Sequence, residues 1–92
     1  MVRGFRCPDT ECLHTGYFVK RFSGIEDSAR RRLRFLDAAV SRGDLAAIRG
    51  NHLEGLSGYR KGQYGIRIND QWRICFRWLE GHPVDVEIVD HH

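Results

Sequence analysis

From Trp72 to Trp78 the chain alternates without a break. Trp72, Ile74, Phe76 and Trp78 share one parity; Arg73, Cys75 and Arg77 share the other. Successive side chains of a strand point to opposite faces, so this stretch specifies a strand with one apolar face and one face carrying arginines. Such a strand needs partners beside it and an apolar cover over the Trp/Ile/Phe face. A chain of 92 residues has room for one core and no second lobe, so residues 1–92 are expected to form a single domain.

The flanking segments supply the partners. Lys61 to Ile68 reads as a strand with Tyr64, Ile66 and Ile68 on one face, and Asn69-Asp70 as a turn. Glu80-Gly81-His82-Pro83 reads as the next turn. It leads into a last strand with Val84, Val86 and Ile88 facing one way and Asp85, Glu87 and Val89 the other. His52 to Leu56 makes a further short strand. Three closely linked strands form an antiparallel meander.

The N-terminal half supplies the cover. Ile25, Ala29, Leu33, Leu36 and Val40 recur at steps of three and four, which predicts an amphipathic helix starting near Gly24. Glu26 and Asp27 favour its N-terminal dipole. Gly43 is expected to end it, and Asp44 to cap a short second helix through Arg49. Val2 to Arg6 reads as an opening strand closed by Pro8, followed by a helical turn over Asp9–Leu13 that Gly16 ends. Tyr17 to Phe22 fits helix and strand equally. The expected fold is α+β, a small twisted antiparallel sheet with the N-terminal helices packed on one face.

Composition narrows the function classes. With 41% apolar and 29% charged residues the chain is globular rather than disordered. A net charge of +3 suits a polyanion or an acidic protein partner. The three cysteines, Cys7, Cys12 and Cys75, are odd in number and lack zinc-finger spacing. Reduced thiols are therefore expected, not a disulfide scaffold or a structural zinc site. No apolar run approaches the roughly 20 residues that span a bilayer, and Met1–Phe5 lacks a signal-peptide core. No membrane association and a cytoplasmic location are expected.

Arg73 and Arg77 lie two pleats apart on the non-core face, with Arg67 beside them and Arg60 and Lys61 in the preceding loop. The rigid fork of arginine suits phosphate oxygens, though polar strand faces are also often charged and merely solvated. The terminal Asp90-His91-His92 offers two imidazoles that can move protons near neutral pH and a carboxylate to orient one. A frayed end or the start of an affinity tag would read the same way. Together these groups have what metal-free RNA cleavage needs: a base, an acid and cations around the phosphate. Tyr59 and Tyr64 are candidate base-stacking rings, with Tyr64 equally suited to the core by its parity with Ile66. Trp72 and Trp78 are read as core or rim, and His14 and His82 as surface. The Arg30-Arg31-Arg32 run fits ribosomal RNA phosphates, a docking surface or a solvated helix face.

Three stretches carry a resemblance. These are Asn51-x-Leu53-Glu54-x-Leu56-x-Gly58-x-Arg60-x-Gly62-Gln63-Tyr64, then Ile66-Arg67-Ile68-Asn69-Asp70-Gln71-Trp72-Arg73-Ile74-Cys75-Phe76, then Asp85-Val86-Glu87-Ile88-Val89-Asp90-x-His92. They resemble HigB-type toxins, the plasmid-maintenance killer branch of the RelE/ParE superfamily. The likeness is dense from Asn51 to His92 and looser before it.

The resemblance implies a RelE-like fold and the toxin of a type II toxin–antitoxin pair, a ribosome-dependent mRNA endoribonuclease. It implies no metal and no cofactor. Its partners would be the ribosomal A site, with its ribosomal RNA, and mRNA. A HigA-like helix-turn-helix antitoxin would neutralise it, and operator DNA would be met only through that antitoxin. By position, Arg73 would hold the scissile phosphate, Asp90, His91 and His92 would form the catalytic group, and Arg60 would add charge, with Lys61, Arg67, Arg77 and Tyr64 as further RNA contacts. The chain departs from many relatives at Ser57, where they carry lysine, at Tyr59, where they carry aspartate, and at His91, where they carry tyrosine. Some relatives carry histidine at Glu54, which makes that carboxylate a candidate base. Two other readings share the fold: a ParE-like inhibitor of DNA gyrase, and an inactive orphan partner of a DNA-binding repressor.

Overall fold

The computed structural model describes residues 1–48 and 50–90. Helix α1 runs Pro8–His14, α2 Glu26–Ala38 and α3 Arg42–Ala46; strands β1 (Glu54–Gly55), β2 (Tyr64–Arg67), β3 (Trp72–Leu79) and β4 (His82–Asp90) follow. The four strands form one antiparallel sheet in chain order, β1-β2-β3-β4. Among the described residues no helix is long and apolar enough to cross a membrane.

The alternation in β3 governs the sheet. Its partners fall opposite with matching character: Ile74 pairs with Ile66 and Ile88, and Phe76 with Tyr64. Ile66, Ile74, Phe76, Val86 and Ile88 are buried with Leu33, Leu36 and Ala29 of α2, Leu13 of α1 and Phe22 from a 3₁₀ turn at Lys20–Phe22. Phe22 meets Trp72 edge-on, with ring centroids 5.6 Å apart. Thr10 of α1 is fully buried, and its Oγ1 accepts from the Ile88 amide at 3.0 Å, fastening α1 to β4.

Several element boundaries differ from expectation. Val40 continues the apolar periodicity of α2, yet it is 81% exposed while Ala39 is buried. The helix stops at Ala38 because Ser41 and Asp44 form a capping box that starts α3 at once. Gly43 therefore lies inside α3 rather than ending α2, and Asp44 is the third residue of α3 rather than its cap. The expected end of that helix at Arg49 lies outside the described residues; α3 stops at Ala46.

The expected strand over Lys61–Ile68 is shorter, since Gly58–Arg60 forms a 3₁₀ turn and β2 spans only Tyr64–Arg67. The strand expected over His52–Leu56 shrinks to Glu54–Gly55. The Glu80–Pro83 turn is tighter than expected: Glu80 and Gly81 both take positive φ, 52° and 83°, as a two-residue hairpin requires, and β4 starts at His82.

Val84 is out of phase with Val86. Register slips between Cys75 and Arg77, and Asp85 sits there at φ 53°, so Val84 pairs with exposed Arg77 while Val86 is buried. The opening segment is extended rather than a full strand. Phe5 makes one parallel bridge to Val86, with Arg3 N–H donating to Pro83 O and Arg6 N–H to Val86 O, each at 2.9 Å.

Candidate active site

The sheet face away from the helices carries the polar parity. Arg73 stands opposite Arg67 on β2 and Val89 on β4, and Cys75 stands opposite Gly65 and Glu87. Residues directly opposite have Cβ atoms about 5 Å apart, so these groups make one patch. The 3₁₀ turn at Gly58–Arg60 folds over it. Gly65 makes this approach possible: a Cβ there would come within 3.3 Å of Leu56 Cδ2. Beneath the turn lies an open cleft of about 380 Å³ lined by Leu56, Ser57, Tyr59, Arg60, Arg73, Cys75, Val89 and Asp90.

Two arginines line this cleft, each held by a carboxylate. Arg60 Nη1 donates to Glu87 Oε1 at 2.8 Å and to Gln63 Oε1 at 3.1 Å. The bond to Glu87 holds the Arg60 guanidinium above its usual pKa despite the desolvation it suffers. Arg73 donates to Glu54 of β1. Glu87 is the more enclosed carboxylate, its side chain 14% exposed against 49% for Glu54. Burial pushes the Cys75 thiol above its ordinary pKa, so it stays neutral between the two cations. Tyr59 is 93% exposed at the cleft mouth, with the Arg60 guanidinium 5.5 Å from its ring centre.

Of the residues singled out in the sequence, Arg73, Arg60 and Asp90 meet at this cleft. Asp90 stands opposite Trp72 across the ladder, and its Oδ2 accepts from Gln71 Nε2 at 3.2 Å. Arg67 shares the face but binds Asp70 outside the cleft. Arg77 lies further along β3, 3.6 Å from Asp85, also outside it. Lys61 is exposed just beyond the 3₁₀ turn and does not line it.

Tyr64 is on the opposite face, tilted against Phe76 with its hydroxyl accepting from Arg42, so the structure does not bring it to the cleft with Arg73. His91 and His92 lie outside the described residues. Sequence reasoning missed Glu87 and Cys75 as site members. Their parity with Arg73 was readable; that β4 brings Glu87 beneath Arg60 was not, because the contact depends on the fold of the 57–63 loop.

Comparison with known proteins decides the family of this chain. Residues 18–92 match the HigB-like toxin family, RelE-like toxins of the type II toxin–antitoxin system HigB. The chain belongs to this family. Toxin HigB-1 of Vibrio cholerae serotype O1 (strain ATCC 39315 / El Tor Inaba N16961) is 39% identical over 69 residues, 75% of this chain and 73% of that protein. A chain of a YoeB–YefM complex from Staphylococcus aureus superposes with a TM-score of 0.64, covering 100% of this chain and 99% of that one. At 18% identity that likeness speaks for the RelE-like fold alone. The protein is thus a HigB-type toxin of the RelE superfamily, one half of a type II pair whose other half is an antitoxin. HigB-type toxins are endoribonucleases.

Proposed function

We propose that this toxin cleaves mRNA on the translating ribosome by attack of a 2′-OH on the adjacent phosphate, leaving a 2′,3′-cyclic phosphate and a free 5′-OH. The observation that carries this reading is the convergence of Arg60 and Arg73 on one open cleft that Asp90 also borders. As the 2′-oxygen bonds to phosphorus, negative charge builds on the non-bridging oxygens. Two preorganised guanidinium groups stabilise that charge, the largest catalytic term in most such sites. A phosphate reaching Arg73 displaces the half-exposed Glu54, leaving a carboxylate beside the phosphate to compete for protons.

His91 and His92 exchange the protons. One takes the 2′-OH proton, and the other gives a proton to the departing 5′-oxygen as the P–O5′ bond breaks. Asp90, held by Gln71, steadies this group. Arginine supplies the cationic charge, so no metal is required by this course. Among the described residues no three His, Cys, Asp or Glu side chains cluster as metal ligands. The setting is the cytoplasm, and the neutralising partner is a HigA-like helix-turn-helix antitoxin.

The test is induced expression of wild type, Arg73→Ala and His92→Ala, with mRNA 5′ ends mapped in translating cells. Cuts inside reading frames in wild type alone, with both variants folded, are expected. Growth arrest without new ends overturns the nuclease reading and points to gyrase.

A further inference from the structure

Arg32 is a half-buried cation with no acid against it among the described residues. Arg30, Arg60 and Arg73 are similarly enclosed, and each has a carboxylate partner. Arg32 makes no such pair among the described residues. Its Nη1 donates to the neutral Asn51 Oδ1 at 3.2 Å, and its Nε is buried with no partner. Burial, then Arg31 and Arg67, push its guanidinium below the usual arginine pKa. A half-buried charge crowded by like charges gains little as a purely structural element. An anion would turn that shortfall into binding energy.

The surroundings are arranged to aim the group. Asn51 is fully buried, and its Nδ2 donates to Leu45 O at 3.1 Å, which fixes Oδ1 toward Arg32. The backbone carbonyl of the same Asn51 accepts from Arg67 N–H at 2.7 Å, so one residue anchors both arginines at the edge of β2. Gly50, at φ 91°, leaves its Cβ position 3.5 Å from Arg32 Nη2. Arg67 stands directly opposite Arg73 on the same face, so positive charge runs from the cleft across β2 to Arg32. The counter-ion of Arg67, Asp70, is 96% exposed; such pairs are weak and yield to a better anion.

We propose that Arg32, with Arg67, holds a second phosphodiester of an RNA strand, one strand beyond the phosphate at Arg73. The choice of RNA as ligand rests on the nuclease reading, while the anion site rests on the geometry. A phosphodiester of the substrate strand and one of ribosomal RNA offer the same chemistry.

The test measures salt-dependent binding of a short 2′-O-methyl RNA oligonucleotide, which cannot be cut, and of small ribosomal subunits. The proteins are wild type, Arg32→Met, Arg32→Lys and Arg67→Gln. Arg32→Met strands the buried Asn51 Oδ1, so it should stay folded but melt below wild type. It should bind about tenfold more weakly, with a log–log salt slope shallower by about 0.7, the value of one single-strand phosphate. Arg32→Lys should fall between the two, and Arg67→Gln should lose a similar slope. Loss with both probes assigns the phosphate to the substrate strand, and loss with subunits alone to ribosomal RNA.

A lower melting temperature with affinity and slope unchanged for both probes makes Arg32 structural and overturns the proposal. If Arg32→Met does not fold, an unchanged slope in Arg67→Gln overturns it equally. Neither probe is turned over, so a failed nuclease reading shows separately, as uncut mRNA in cells.

Discussion

Arg60 Nη1 and Glu87 Oε1 meet at 2.8 Å, joining the 3₁₀ turn at Gly58–Arg60 to the middle of β4. This pair holds the roof of the cleft to its floor. Glu87 has 14% of its side chain exposed, and Arg6 Nε lies 3.7 Å from its other oxygen. Removing one member of an enclosed pair strands the other, costing more than an exposed pair ever contributes. Glu87→Ala should therefore lose about 2 kcal/mol of stability. Glu54→Ala, which breaks a pair with a half-exposed carboxylate, should lose under about 1 kcal/mol. Urea unfolding of both variants checks the order. Equal losses would mean that the two pairs do the same structural work.

Leu36 and Val40 test how α2 ends. Both continue the apolar periodicity, but Leu36 is fully buried and Val40 is 81% exposed. Leu36→Ala should cost about 2–5 kcal/mol, and Val40→Ala should change stability by no more than about 0.5 kcal/mol. A large loss at Val40 in a denaturation curve would put α2 one turn longer than Glu26–Ala38.

These cases separate what local pattern encodes from what it does not. The β3 alternation alone specifies which side of the sheet is core, and it places Arg73 on the open face. Helix content from Ile25 to Leu36 followed from periodicity alone. The end of α2 did not, because a capping box competes with the apolar repeat and wins at Ser41. Val84 was misplaced because one positive-φ residue, Asp85, reverses parity, and nothing in its side chain announces that. Tyr64 followed its parity into the helix-side face, the alternative its alignment with Ile66 had left open. Arg60 and Glu87 are 27 positions apart, and their pairing is a tertiary event beyond any local signal.

Cys75 should be inert where Cys12 is reactive. Cys12 is exposed and Cys75 is 2% exposed, and burial raises the Cys75 pKa. Only the thiolate is nucleophilic. Iodoacetamide at about neutral pH should label Cys12 quickly and leave Cys75 intact until the protein unfolds. A raised folded pKa means that the fold binds this proton more tightly than the unfolded chain does. Its contribution to stability is complete below the unfolded thiol value of about 8.5 and is lost as pH rises through the folded one. The stability difference between wild type and Cys75→Ala should therefore shrink on the alkaline side. A difference flat across that range, or rapid labelling of native Cys75, would contradict this.

Tyr59 is the exposed ring best placed to meet a base. It stands 93% exposed at the cleft mouth beside Arg60 and packs against nothing in the core. A surface ring of this kind adds little to stability, but a base stacked on it contributes about 1–3 kcal/mol to single-strand binding. Tyr59→Ala should leave the melting curve within about 0.5 kcal/mol of wild type while weakening cleavage of ribosome-bound mRNA by about tenfold or more, chiefly through KM. Tyr59→Phe keeps the π-face and removes only the hydroxyl, so it should cleave like wild type. If Tyr59→Phe were as impaired as Tyr59→Ala, the hydroxyl rather than the ring would be the working group, and stacking at this position would be wrong.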